Sequence, residues 1–169
     1  LAFTRCDRFG AGCKVVTVPA PAGTTPYGEP SGCHIPVLVD SATSELVMVR
    51  TWSGDQTYVH RCSFDGTRCT AHKTNVAPAG GCNVAFLRPA ESKILVVQLA
   101  GNINPRLIRC SYDATSCNEE LLSPGTMGRF SAAIDENEKK LLIVGIHSGD
   151  SSRFTRIRCN LDGTGCEAK

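Results

Sequence analysis

Apolar runs of four to eight residues recur along the chain, separated by clusters of Gly, Ser, Asp, Asn and Pro. Such short, β-branched runs bounded by turn residues predict strands rather than helices. Leu1 to Arg8 and Cys13 to Val18 form a first pair, with Gly10 and Gly12 flanking the reversal. Residues 19 to 32 carry four prolines and three glycines and predict an irregular loop. Four strands follow: Ile35 to Asp40, Leu46 to Trp52, Thr57 to Phe64 and Thr67 to Lys73, with turns at Ser41 to Ser44 and Ser53-Gly54-Asp55. The order then repeats. Val84 to Leu87, Ile94 to Leu99, Arg106 to Tyr112 and a return from Cys117 make the next unit. Ser131 to Ile134, Leu141 to Ile146, Phe154 to Leu161 and Gly165 to Lys169 make the last. Glu136 to Leu142 and Asn118 to Leu122 are helix-compatible by composition, but the repeat places them in turns and strand ends.

One stretch marks the repeat. Arg61-Cys62-Ser63-Phe64-Asp65-Gly66-Thr67-Arg68-Cys69 returns as Arg109 to Cys117 and as Arg158 to Cys166, with a worn copy at Arg5 to Cys13. Cys62 lies 48 residues before Cys110, and Cys110 lies 49 before Cys159. Four short strands at a period near 50 residues predict propeller blades. The expected architecture is an all-β β-propeller-like domain over residues 1-169. It has a half-unit at 1-20 and full units at 31-79, 80-127 and 128-169, with a β-trefoil as the alternative. Three and a half blades do not close a ring. The expectation is therefore a homo-oligomer, a dimer completing the ring, or a missing companion segment. The start at Leu1 suits a processed chain or a fragment.

Asp65-Gly66 and Asp162-Gly163 predict two-residue type I′ hairpins, which need positive φ at both positions. That register sets Cys62 opposite Cys69, where paired Cα atoms lie about 4.5 to 5.5 Å apart, within reach of a disulfide. Bridges Cys6–Cys13, Cys62–Cys69, Cys110–Cys117 and Cys159–Cys166 follow. Alternation puts each cysteine pair on one face, against a neighbouring blade. It puts Arg61, Arg109 and Arg158 on the other, where a structural bond to an adjacent unit is the leading expectation and a ring of ligand-binding arginines the alternative. Cys33 and Cys82 open consecutive units and predict a bridge between blades, or a bond from one of them to a second chain. Ten cysteines without short Cys-x2-4-Cys pairs point to disulfides rather than metal, and to a secreted, extracellular protein.

The hairpin resembles the third-to-fourth-strand turn of secreted β-propellers. Leu161-Asp162-Gly163-Thr164 is similar to the turn of YWTD-type propellers, and Ser-x-Asp-Gly-Thr is similar to the Asp-box of sialidases and their relatives. The chain lacks the Tyr-Trp-Thr-Asp tetrad and the residue that the Asp-box inserts between Asp and Gly. The resemblance implies architecture and carries no activity with it.

Net charge is +2 with no Lys/Arg run, which argues against nucleic acid. No apolar run has membrane-spanning length. No nucleophile elbow, phosphate loop, zinc-protease or calcium-loop motif is present, so no catalytic residue, metal or cofactor is expected. His34, His60, His72 and His147 are scattered and are read as surface or wall residues. The candidate ligand residues lie between second and third strands: Trp52 and Asp55, Asn102 in the middle unit, and His147 and Asp150 in the last. A ring beside a carboxylate or amide stacks on sugar C–H groups and bonds hydroxyls. An ordinary Ser-Gly-Asp turn, with Trp52 packed between blades, is the structural reading of the same residues. The expected function is a secreted binding module for a glycan or glycoprotein ligand, lectin-like. A protein-recognition or adhesion module, or a fragment of an Asp-box glycoside hydrolase, are the alternatives.

Overall fold

A computed structural model describes residues 2–6, 10–18, 35–52, 56–74, 83–100, 104–122 and 126–169. The 19 to 32 loop, His34, Cys33, Cys82, Asp55 and Asn102 lie outside the described residues, and with them the expected Cys33–Cys82 bridge. The fold is all-β. β1 (Ala2–Arg5) and β2 (Lys14–Thr17) form a hairpin. β3 (Val37–Asp40), β4 (Glu45–Trp52), β5 (Gln56–Ser63) and β6 (Cys69–Lys73) form the first four-stranded sheet. β7 (Asn83–Arg88), β8 (Lys93–Ala100), β9 (Asn104–Ser111) and β10 (Cys117–Leu121) form the second. β11 (Met127–Asp135), β12 (Lys140–His147), β13 (Phe154–Asn160) and β14 (Glu167–Ala168) form the third. Each is an antiparallel meander in chain order. Among the described residues no ladder joins one unit's strands to another's, as the barrel strands of a β-trefoil would require.

The sheets pack in chain order, and the alternation along each central strand shows why. Ile94 and Val96 of β8 join Val47, Val49 and Val59 of the first sheet in one core. Leu95, Val97 and Leu99 of the same strand join Leu141, Ile143 and Ile157 of the third sheet in another. Successive strand residues point to opposite faces, so a strand covered on both sides is apolar at every position, as β8 is from Ile94 to Val97. Gln98 breaks the run and enters a buried polar network. Each fully buried Val, Leu or Ile contributes about 1.5 to 3 kcal/mol relative to exposure. The N-terminal hairpin covers the remaining face of the first sheet through Val18, against Met48 and Cys62.

The four hairpin disulfides form as the register requires, with Cα separations of 4.0 to 4.1 Å. Cys62 lies directly opposite Cys69, and Cys110 opposite Cys117. Each bridge from the first sheet onward faces the preceding unit: Cys62 meets Val18, Cys110 and Cys117 enter the core shared with the first sheet, and Cys159 enters the core shared with the second.

The turn itself differs from the expected type I′. Of Asp65 and Gly66 only the glycine takes positive φ, at 72°. The turn begins one residue earlier, with Gly66 N–H donating to the Ser63 carbonyl at 2.8 Å. The reason is the Asp65 carboxylate, whose Oδ1 accepts from the Thr67 N–H at 3.0 Å, the Thr67 hydroxyl at 2.8 Å and the Ser63 hydroxyl at 2.6 Å. An Asp that bonds the backbone two residues on stabilises its own turn at negative φ. The ladder closes with Ser63 N–H on the Arg68 carbonyl, so the cysteine register survives the change of turn. In the third sheet Asn160 N–H instead bonds the Thr164 carbonyl, and Gly165, at φ 59°, takes up the additional residue as a bulge.

The segments that composition left helix-compatible are turn and strand. Residues 136–139 form the turn before β12, and Asn118 to Leu121 lie in β10.

Candidate functional site: the clefts between sheets

Two hairpin turns of every sheet lie at the same end, the one joining its first and second strands and the one joining its third and fourth. The first of these has a fixed form. Its fourth residue is left-handed in all three sheets: Ser44 at φ 56°, Ser92 at 52° and Lys139 at 51°. Asp40 opens it in the first sheet and accepts from the N–H groups of Ala42 and Thr43 at 3.1 and 3.3 Å. Asp135 does the same in the third sheet, for Asn137 and Glu138. The middle sheet has Arg88 at this position.

The second turn repeats the carboxylate arrangement of Asp65. Asp113 Oδ1 accepts from the Ser111 hydroxyl at 2.6 Å and from Thr115 N–H at 3.1 Å; Asp162 Oδ1 accepts from Thr164 N–H at 2.9 Å and its hydroxyl at 2.7 Å. These bonds hold Asp65 and Asp113 down to about 2, the Ser63 and Ser111 hydroxyls first among the causes. Asp162 is lowered too, chiefly by Thr164. The repeated aspartates are thus spent on their own turns.

Between the first and second sheets these turns enclose a cleft of about 540 Å³ lined by Glu45, Arg61, His72, Ser92, Ser111, Tyr112 and Asp113. Arg61 spans it. Its Nε and Nη2 donate to the Tyr112 carbonyl oxygen at 3.0 and 2.5 Å, and its Nη1 donates to Asp40 at 3.2 Å and Glu45 at 2.7 Å. The guanidinium carbon stands 4.6 Å from the Tyr112 ring centre. Burial would raise the Asp40 carboxyl. The adjacent Tyr112 hydroxyl, which reaches no full hydrogen-bond geometry among the described residues, and the bonds from Thr43 and Arg61 outweigh it and hold Asp40 at about 2. Burial likewise works against the Arg61 charge, but Glu45 and Asp40 raise its pKa. Arg61 is therefore a structural bond between adjacent units, as expected of the repeated arginines, whereas Arg109 and Arg158 make no such bond among the described residues.

The equivalent cleft between the second and third sheets has the same frame and different charge. It is about 290 Å³, lined by Glu91, Lys93, Leu95, Arg109, Lys139, Asn160, Leu161 and Asp162. Register makes Arg88, Lys93 and Arg109 the counterparts of Asp40, Glu45 and Arg61. Arg158, the third copy, is 47% exposed on the outward face of the last sheet, 3.9 Å from Glu138.

Of the ligand residues expected from sequence, Trp52, His147 and Asp150 sit at the opposite end of the sheets. Trp52 closes β4, and its backbone pairs with Gln56. His147 closes β12; its Nε2 lies 3.3 Å from the Thr126 hydroxyl, and its Nδ1 is buried with no hydrogen-bond partner among the described residues. Asp150 Oδ1 accepts from the N–H and hydroxyl of Ser152 at 3.0 and 2.6 Å, which lowers its pKa. Trp52 and His147 belong to the first and third sheets, with the second between them. A buried polar bridge crosses from that middle sheet to the first: Arg106 donates to Gln98 at 2.7 Å and to Glu119 at 2.6 Å, and Gln98 reaches the Thr57 hydroxyl at 3.4 Å.

Sequence reasoning missed Glu45 and Lys93 as wall residues and Asp40 as the buried partner of Arg61. The signal was present as the alternation Glu45, Lys93, Lys140 at one repeat position, read from the strand register. Among the described residues no three His, Cys, Asp or Glu side chains converge to hold a metal, and no helix is long and apolar enough to cross a membrane. Four disulfides fit an oxidising, extracellular compartment. No protein-family model, curated protein or solved structure matches the chain.

Proposed function

We propose that the chain is a secreted, propeller-like binding module that recognises carbohydrate. The observation that carries this reading is the division between repeated and unrepeated residues. The repeated Asp and Cys residues are engaged in turns and bridges, and Arg61 in the bond between sheets. The clefts between sheets differ in lining and charge, and the second-to-third-strand turns differ in sequence, as positions that bind a ligand would. The packing of sheets in chain order supports blades, as does the approach of β3 to β7, the first strands of neighbouring sheets. Similar sites on successive units favour multivalent capture of a branched glycan, where avidity replaces a single deep pocket. A second copy completing the ring belongs to the same proposal.

A glycan array read alongside haemagglutination tests it. Binding to a defined set of glycans is the expected result. Cleavage of fluorogenic glycosides with no glycan retained would overturn it in favour of a hydrolase. The intact mass in solution under non-reducing conditions tests the ring: a mass equal to one chain rejects the oligomer.

A further inference from the structure

The two clefts between sheets serve as controls for one another. In the first, Arg61 is met by Asp40, Glu45 and the Tyr112 carbonyl, so its charge and donors are satisfied inside the protein. In the second, both carboxylate positions carry cations, Arg88 and Lys93, beside Arg109. Arg88 is compensated by Glu91 and by Glu136 of the third sheet, and Lys139 by Glu136 at 3.2 Å. The two carboxylates in the cleft wall are engaged as well, Glu91 by Arg88 and Asp162 by its own turn. Lys93 and Arg109 remain. Lys93 is exposed and Arg109 half-buried; neither side chain has a hydrogen bond or ion pair among the described residues, Asp162 is near enough to Arg109 to feel its charge, and Arg109 Nε is buried with no hydrogen-bond partner there. A buried donor left unmet costs free energy, and native proteins pair nearly all of them, with ordered water or a bound ion where protein groups do not serve. A second cleft of about 370 Å³ opens on the other side of the same pair, lined by Ser92, Lys93, Arg109, Ser111, Ser116 and Asn118.

From the Lys93–Arg109 pair, two cations in one cleft with no carboxylate bonded to either, we infer an oxyanion-binding site between the second and third sheets, which takes the sulfate ester or carboxylate of an acidic saccharide. This rests on the carbohydrate reading above. The planar guanidinium offers parallel donors to two oxygens of the anion, and the Lys93 ammonium adds a point charge. The hydroxyls of Ser92 and Ser116 and the Asn118 amide border the neighbouring cleft, where the sugar ring would lie. The cleft is open enough for one substituent and its ring rather than for an extended chain.

Calorimetric titration of the protein with lactose, 3′-sulfolactose, 3′-sialyllactose and inorganic sulfate tests the site. One or both acidic sugars should bind at least about ten-fold more tightly than lactose, the preference falling as salt rises. Which of the two binds tells sulfate from carboxylate. The substitution K93E reinstates the first cleft's arrangement, giving Arg109 an internal partner. It should remove the preference while leaving the melting temperature unchanged or higher; R109Q should remove it too. Equal affinity for lactose and both acidic sugars overturns the anion site and leaves the lectin reading standing. Inorganic sulfate binding that K93E abolishes, with no sugar bound, supports the anion site and overturns the lectin reading. No binding of any of the four overturns both, and a preference that survives K93E and R109Q overturns the assignment to this pair.

Discussion

The Arg61 guanidinium grips the Tyr112 carbonyl oxygen from the neighbouring sheet, at 2.5 and 3.0 Å, while lying 4.6 Å from the same residue's ring. The other end of the fork holds Asp40 and Glu45 of its own sheet. One side chain therefore ties a sheet's first turn to the next sheet's last turn. Removing one partner of a buried ion pair leaves a charge uncompensated and costs on the order of 3 to 5 kcal/mol, whereas replacing both is far cheaper. Asp40 has 0% side-chain exposure and so bears that penalty. Arg61→Met should lower stability in urea by about 3 kcal/mol, and Arg61→Met with Asp40→Leu should recover much of it. Additive losses in the double variant would mean the two residues are not coupled.

The third-to-fourth-strand turns offer a test of close approach. A Cβ on Gly66 would stand 1.9 Å from Val16 Cγ1 of the preceding hairpin, and one on Gly163 would stand 2.9 Å from Glu120 Cγ. Both glycines also hold positive φ, which costs a non-glycine residue about 1 to 2 kcal/mol. Val16 is a β-branched side chain on a strand and yields little; Glu120 is long and exposed. Gly66→Ala should thus destabilise more than Gly163→Ala, by about 1 kcal/mol or more. Ala114 already occupies this position in the middle copy at φ 62° and is buried. Ala114→Gly gains backbone freedom and loses a buried methyl, so its denaturation midpoint should move little.

Much of the fold was legible in the sequence because its signals are local and repeated. Strand positions followed from runs such as Ile94 to Leu99, and the cysteine register followed from loop length alone. The turn type was misread because the Asp-Gly pair signals positive φ at both residues only when the carboxylate is idle, and here Asp65 Oδ1 accepts three hydrogen bonds. The clefts were less legible. Whether Arg109 is satisfied depends on which charge stands at Lys93, a neighbour across the β8–β9 ladder rather than along the chain. Trp52 and His147 drew notice as aromatic residues beside carboxylates, but a pattern within one turn does not tell which sheets lie between two turns.

The disulfides should not contribute equally. Each closes a span of seven residues, a short loop whose entropic stabilisation is about 2 kcal/mol on the chain-entropy model. Cys62 is wholly buried against Val18 and Met48, whereas Cys6 and Cys13 are exposed. Replacing Cys62 and Cys69 by alanine removes buried sulfur and leaves a gap as well as opening the loop. Thermal unfolding of that pair should show a larger loss than the Cys6→Ala, Cys13→Ala pair, by about 1 kcal/mol or more. Equal losses would show that loop closure alone governs both.

Acid should lower the stability of the fold in two stages, and His60 controls the first. It lies buried on β5, opposite Met48 and Ala71. Burial first, and then the positive charge of Arg50, lower its pKa from 6.5 to about 4. Between those values the unfolded chain binds a proton at His60 that the folded chain does not, so stability falls as pH falls. The contribution is complete above about pH 6.5 and gone near pH 4, and at about 1.4 kcal/mol per unit it is at most about 3.5 kcal/mol, less where water reaches the ring. The second stage belongs to Asp40, Asp65 and Asp113, each held at about 2 in the fold. Their stabilisation is present above the unfolded carboxylate value and is lost as pH drops from about 4 towards 2. Urea midpoints recorded from pH 8 to pH 2 should therefore be flat above pH 7, decline to pH 4 and decline again below it. His60→Gln should flatten the first decline and keep the second. If the first decline persists in that variant, another group sets it and the buried neutral imidazole is not the cause.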